Sequence, residues 1–140
     1  MAGKVVRFGV SMGGRLLEDF DRLIRGRGYR TRSEAIRDLV REHLVASRWE
    51  RAGEEVAGTV TLVYDHHAPE LPHLLAELQH RAQGAVVCAT HVHLDAHHCL
   101  EVVVLRGKAG FVRKTADQLL STRGVKHGQL VCSTTGQGLE

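Results

Sequence analysis

With 140 residues, 43% of them hydrophobic and 25% charged, the chain has the make-up of an ordinary folded protein of one domain or two small ones. No run of about 18 apolar residues occurs, which excludes a membrane-spanning helix. The first residues lack the apolar stretch of a secretory signal, and Cys88, Cys99 and Cys132 are odd in number and far apart, which argues against a disulfide framework; a cytoplasmic protein is expected.

The net charge of +3 hides an asymmetry: residues 1–52 carry twelve Lys/Arg against seven Asp/Glu, and the remainder seven against nine. A basic N-terminal module joined to a mildly acidic one suits a nucleic-acid binder with a separate control domain, although small imbalances between halves are common. Ten histidines are unevenly spread.

In chain order, Val6, Phe8, Val10 and Met12 alternate with Arg7, Gly9 and Ser11, which predicts a strand with one apolar face. Gly13-Gly14 interrupts it. Leu16, Leu17, Phe20, Leu23 and Ile24 recur at helical spacing, and that helix ends near Gly26–Gly28. Thr31 and Glu34 spell a T-x-x-E capping box, opening a second helix with Ile36, Leu39, Val40 and Leu44 on its apolar stripe and an end near Arg48. A strand-helix-helix unit this short buries too little surface alone, and its strand has no ladder partner. Two copies pairing their strands antiparallel would solve both problems and turn Arg7, Gly9 and Ser11 outward on a ribbon that fits the major groove of DNA.

Residues 49–55 read as a short linker. Beyond it come a strand over 58–64, a helix over 69–82, strands over 85–94 and 99–105 around a polar turn, a helix over 108–121 and a strand over 125–132. This βαββαβ order is the ferredoxin-like pattern. The fold class expected is therefore α+β, with a ribbon-helix-helix domain over 1–50 and a ferredoxin-like or ACT-like domain over 56–134.

Chemistry concentrates between His80 and Glu101. His91 and His93, two apart in a strand, share one face. If the hairpin loop is Leu94–His98, His93 faces Cys99 and His91 faces Glu101, all on that face. A loop one residue shorter sends Cys99 to the other side. Two imidazoles and a thiolate suit late first-row divalent ions, not calcium or magnesium. His80 on the preceding helix is the leading candidate for a fourth ligand, followed by His97 and His98. Residue types leave nickel, copper and zinc open. Against a metal site stands the chance occurrence of His-x-His in a histidine-rich chain and the habit of lone buried cysteines to act as small hydrophobes. No nucleophile–base–orienter set and no phosphate-binding glycine fingerprint is present, so an enzyme is not expected.

The segments Arg7–Ser11, Arg27–Asp38, Val63–His66, His91–His93, Cys99–Glu101 and Arg123–Gly128 together resemble the nickel-responsive regulator (NikR) family over nearly the whole chain. The combination of Gly-Tyr-x-x-Arg-Ser-Glu-Ala-Ile-Arg-Asp with H-x-H-x5-C-x-E is specific. The resemblance implies a homotetramer, a dimer of dimers, with ACT-like domains at its centre and one Ni(II) per subunit in a square plane. It assigns His91, His93 and Cys99 of one subunit as ligands, with His80 from a second. Glu101 matches a residue that orients a metal-bound imidazole, and Tyr64 a position near the site. Arg7, Gly9 and Ser11 match base-reading positions in operator DNA, Arg32 and Ser33 backbone-phosphate contacts, and Glu34 and Asp38 a second cation site. Gly9 departs from the small hydroxyl residue usual there, and glycine cannot donate to a base edge. The function implied is nickel-dependent repression at a palindromic operator. Two readings compete: a ribbon-helix-helix regulator that does not answer to nickel, and a nickel-storage or metallochaperone protein.

Overall fold

The structure, a computed structural model, describes residues 3–139. It forms two compact units, one running to Leu44 and taking in the residues from Gln137, the other Val45–Gly136.

In the first unit, residues 3–13 form no strand, and their apolar side chains lie open, Phe8 at 74% exposure. A lone strand has no partner for its N–H and C=O groups, so the alternating pattern alone cannot produce one. Helix α1 (Gly14–Gly26) follows. It stops where Gly28 takes a left-handed φ of 82°, which lets the Gly28 and Tyr29 N–H groups fold back onto the carbonyls of Arg25 and Ile24. Helix α2 (Arg32–Glu50) opens on the expected reciprocal cap: the Glu34 N–H donates to Thr31 Oγ1, and the Thr31 N–H to Glu34 Oε2, both at 3.2 Å. Two donors that the first turn leaves unpaired are thereby satisfied.

The second unit contains β1 (Glu55–Asp65), α3 (Leu71–Arg81), β2 (Val86–His93), β3 (His98–Lys108), α4 (Ala109–Leu120) and β4 (Val125–Ser133). The sheet order β2-β3-β1-β4, antiparallel throughout, is that of a ferredoxin-like fold. Both helices cover one face. Along β1, Val56, Val60, Leu62 and Tyr64 point inward, and Val103 and Leu105 do so from β3. Leu71 and Leu75 of α3 and Val112, Ala116 and Leu119 of α4 close over them. Truncating Leu62 or Leu75 to alanine is expected to cost about 2–5 kcal/mol.

The expected linker at 49–55 needs correcting. Helix α2 continues through Glu50, and Trp49 belongs to the core of the second unit. The strands also run longer than the alternation suggested, β1 from Glu55 and β3 to Lys108.

Candidate metal centre and nucleic-acid interface

The β2–β3 hairpin takes the odd-length turn that the metal reading requires: His93 pairs with Cys99 and His91 with Glu101. Asp95 holds this turn. Its carboxylate accepts the backbone N–H groups of His97 and His98, both at 2.7 Å, and the His98 ring at 2.9 Å. The two backbone bonds, His98 first, hold its pKa well below the usual carboxylate range. Paired residues share a face, so both imidazoles stand on the helix-covered side of the sheet. Because β2 is an outer strand, they remain exposed, with ring centroids 5.2 Å apart.

Behind them the chemistry is buried. Cys99 is fully enclosed, and its thiol donates to the Tyr64 carbonyl at 3.5 Å. Burial pushes its pKa up. Glu101, 8% exposed, has both carboxylate oxygens occupied. The Tyr64 hydroxyl donates to Oε2 at 2.7 Å, and the Gln79 amide on α3 donates to Oε1 at 2.7 Å. Bonds to a charged group contribute about 1.5–3 kcal/mol each, and a buried carboxylate without them is costly. Tyr64 also lies 3.4 Å from His91 Nδ1; burial, then Glu101, raises its pKa strongly. Gln79 thus connects α3 to the carboxylate behind His91. No sequence signal marked it, because an amide on an amphipathic helix reads as solvated.

His80, next along α3, is exposed and lies 3.2 Å from the Gln83 amide. It does not join His91 and His93. Among the described residues of one chain, no three His, Cys, Asp or Glu side chains gather closely enough to hold a metal ion. His66, which follows β1, also approaches the pair. Its ring centroid lies 4.8 Å from that of His93 and 4.1 Å from that of His67, and its Nδ1 is buried without a hydrogen-bond partner among the described residues.

In the first unit, Arg7, Gly9 and Ser11 lie exposed in the unpaired arm. Arg32 forms a fork on Asp21, with Nε and Nη2 donating at 2.8 and 2.7 Å. Arg32, through that bond, lowers the Asp21 pKa. Ser33 is exposed beside it. Of the carboxylates expected to hold a second cation, Glu34 serves the helix cap, and Asp38 accepts the Tyr29 hydroxyl at 2.9 Å and Arg41 at 3.2 Å.

Residues 57–133 match the family described as NikR C terminal nickel binding domain, and residues 6–47 the ribbon-helix-helix proteins of the copG family. A chain that joins a ribbon-helix-helix module to a metal-binding one is a transcriptional regulator and not an enzyme. Proteins named as nickel-responsive regulators are similar along almost the full length: that of Geobacter sulfurreducens is 58% identical over 137 residues, covering 98% of this chain and 99% of the relative, and that of Geobacter metallireducens is 57% identical over the same extent. One from Thermococcus onnurineus is 52% identical over 136 residues, covering 97% of this chain and 99% of the relative. The chain belongs to the nickel-responsive regulator family. No helix among the described residues is long and apolar enough to cross a membrane.

Proposed function

We propose that this protein is a cytoplasmic, nickel-dependent repressor that binds a palindromic operator when Ni(II) is held by His91, His93 and Cys99 together with His80 of a second subunit, one ion per subunit. The observation that carries this reading is the hairpin register, which puts two imidazoles and a thiol on one face of the sheet. Such donors fit a late first-row divalent ion. In one chain the three donors share a face without closing on one point, and His80 stands apart; a site completed by another copy, with nickel as the bond between subunits, accounts for both. Glu101, fixed by Tyr64 and Gln79, orients the His91 ring through the Tyr64 hydroxyl, which lies 3.4 Å from His91 Nδ1. Cys99 must give up its proton on binding, so nickel affinity falls with falling pH.

The exposed arm supports pairing with a second copy into a ribbon whose Arg7, Gly9 and Ser11 read base edges, with Arg32 and Ser33 at the start of α2 on phosphates. Glu34 and Asp38 then stand beside the DNA-reading face as ligands for a second cation. We assign DNA binding to residues 1–50 and metal binding with tetramer formation to 56–134. The sheet face away from the helices leaves Val92 and Val131 open, an apolar surface that assembly into a homotetramer covers. Nickel and operator each raise affinity for the other by linkage.

Operator binding measured by fluorescence anisotropy, at fixed salt with and without stoichiometric nickel, tests the reading. A gain of about tenfold or more that His93→Ala removes supports it. Equal affinity with and without nickel makes the chain a ribbon-helix-helix regulator that answers to something else.

A further inference from the structure

The end of β1 is tied to the hairpin that carries His91 and His93. Asp65, the last residue of β1, accepts the His67 N–H on its carboxylate at 2.9 Å and the Ala68 N–H on its carbonyl at 3.0 Å, which turns the chain. The Asp95 carboxylate turns the hairpin in the same manner through the N–H groups of His97 and His98. The two turns then join. The His66 N–H donates to the His97 carbonyl and the His67 ring to the Ala96 carbonyl, both at 3.0 Å. His66 is thereby held with its ring against that of His93, at 87° and with centroids 4.8 Å apart.

The two histidines of β2 meet the end of β1 in matching ways. Tyr64 stands at 89° to His91, with its hydroxyl 3.4 Å from Nδ1. His66, two residues on, stands at 87° to His93. Among the described residues the His93 ring has ring neighbours, His91 and His66, but no hydrogen bond. The His66 Nδ1 is buried and also without a hydrogen-bond partner among them. Such an atom lowers stability, so folding alone does not account for a nitrogen at this place. A neutral imidazole that gives one nitrogen to a metal carries its proton on the other, and that N–H needs an acceptor. Each of these two neighbouring rings lacks what the other can supply.

We propose that His66 is a positioning residue for His93: when nickel takes one nitrogen of His93, the N–H on the other donates to His66 Nδ1, which fixes the ring as a ligand. The proposal rests on the nickel reading above and adds a residue to it. The bond fixes the orientation of an exposed side chain and strengthens it as a donor. His66 itself stays off the metal.

Two variants of the full-length chain test this. His66→Phe keeps a flat ring against His93 and removes both nitrogens. His66→Asn restores an acceptor near the position of Nδ1. Competitive titration is expected to show nickel affinity about 10–100-fold lower in His66→Phe and within about threefold of the wild type in His66→Asn. The thiolate–nickel charge-transfer band should keep its position in both, because the ligands are unchanged. Denaturant unfolding of the metal-free protein should show His66→Phe no less stable than the wild type, since an unpaired buried nitrogen is gone. Unchanged affinity in His66→Phe overturns the proposal, as does His66→Asn binding no better than His66→Phe. A shifted band in His66→Phe would make His66 a ligand and overturns it too. If the wild type shows no such band, and His93→Ala leaves its titration unchanged, the nickel reading itself fails and takes this one with it.

Discussion

The Tyr64 hydroxyl and the Glu101 carboxylate, from neighbouring strands, meet at 2.7 Å inside the sheet's covered face, directly behind the exposed ring of His91. Tyr64→Phe keeps the ring and leaves one oxygen of a buried carboxylate without its partner. The expected results are a loss of about 1–3 kcal/mol in unfolding free energy and a fall of about 10–100-fold in nickel affinity. Denaturant unfolding of the metal-free protein and competitive nickel titration check the two effects separately. Unchanged nickel affinity would show that Tyr64 serves stability alone.

The parity of the turn decides which face Cys99 occupies. Deleting Ala96, within the turn, shortens the loop by one residue. If β3 keeps its pairing with β1, Cys99 stays inward and the two histidines turn to the opposite face. Nickel binding, followed through thiolate–nickel charge-transfer absorbance, is expected to vanish while nickel-free binding to DNA persists. Retained absorbance would mean that the donors tolerate a change of face.

Asp21 holds Arg32 in a fork at the start of α2. Arg32 depresses the Asp21 pKa below its ordinary 3.8, so the pair's contribution to stability is present above that pH and fades as pH falls through the depressed value. Arg32→Ala is expected to flatten the acid limb of thermal stability, as read by circular dichroism between neutral pH and acid. Asp21→Asn releases the guanidinium. If Arg32 meets phosphate, that variant binds non-operator DNA more tightly, and the salt dependence steepens by roughly one phosphate contact; an unchanged slope would remove Arg32 from the interface.

The cap on α2 joins two backbone N–H groups to two side chains. Thr31→Ala is expected to cost about 1 kcal/mol, within a range of roughly 0.5–2, measured by urea unfolding. Thr31→Ser should recover most of it. A full loss in Thr31→Ser would assign the effect to the methyl group and not to the hydroxyl.

Much of this arrangement could be read from local text. The cap needs two residues three apart, and the placing of His91, His93, Cys99 and Glu101 on one face follows from strand period and turn parity, both short-range. What escaped reading depends on distant partners. Trp49, among charged residues, looked like the start of a linker, because nothing nearby reveals that Ser133, Gly58 and Arg113 converge on it. Gln79 gains its meaning from Glu101 in another element, and His66 from the approach of His93. The N-terminal alternation was read as a strand, but a ladder requires a second chain, so residues 3–13 of one copy carry the pattern without the structure.

The placement of the three sulfur atoms has a bearing on durability. Thiolates are the form that peroxide attacks, and accessible ones are attacked first. Cys99 is enclosed, whereas Cys88 and Cys132 lie exposed. An oxidant reaching the metal-free chain therefore meets Cys88 and Cys132 first, the two cysteines outside the proposed nickel site. If Cys99 is the nickel ligand, as proposed, the fold shields the responsive sulfur by order of access.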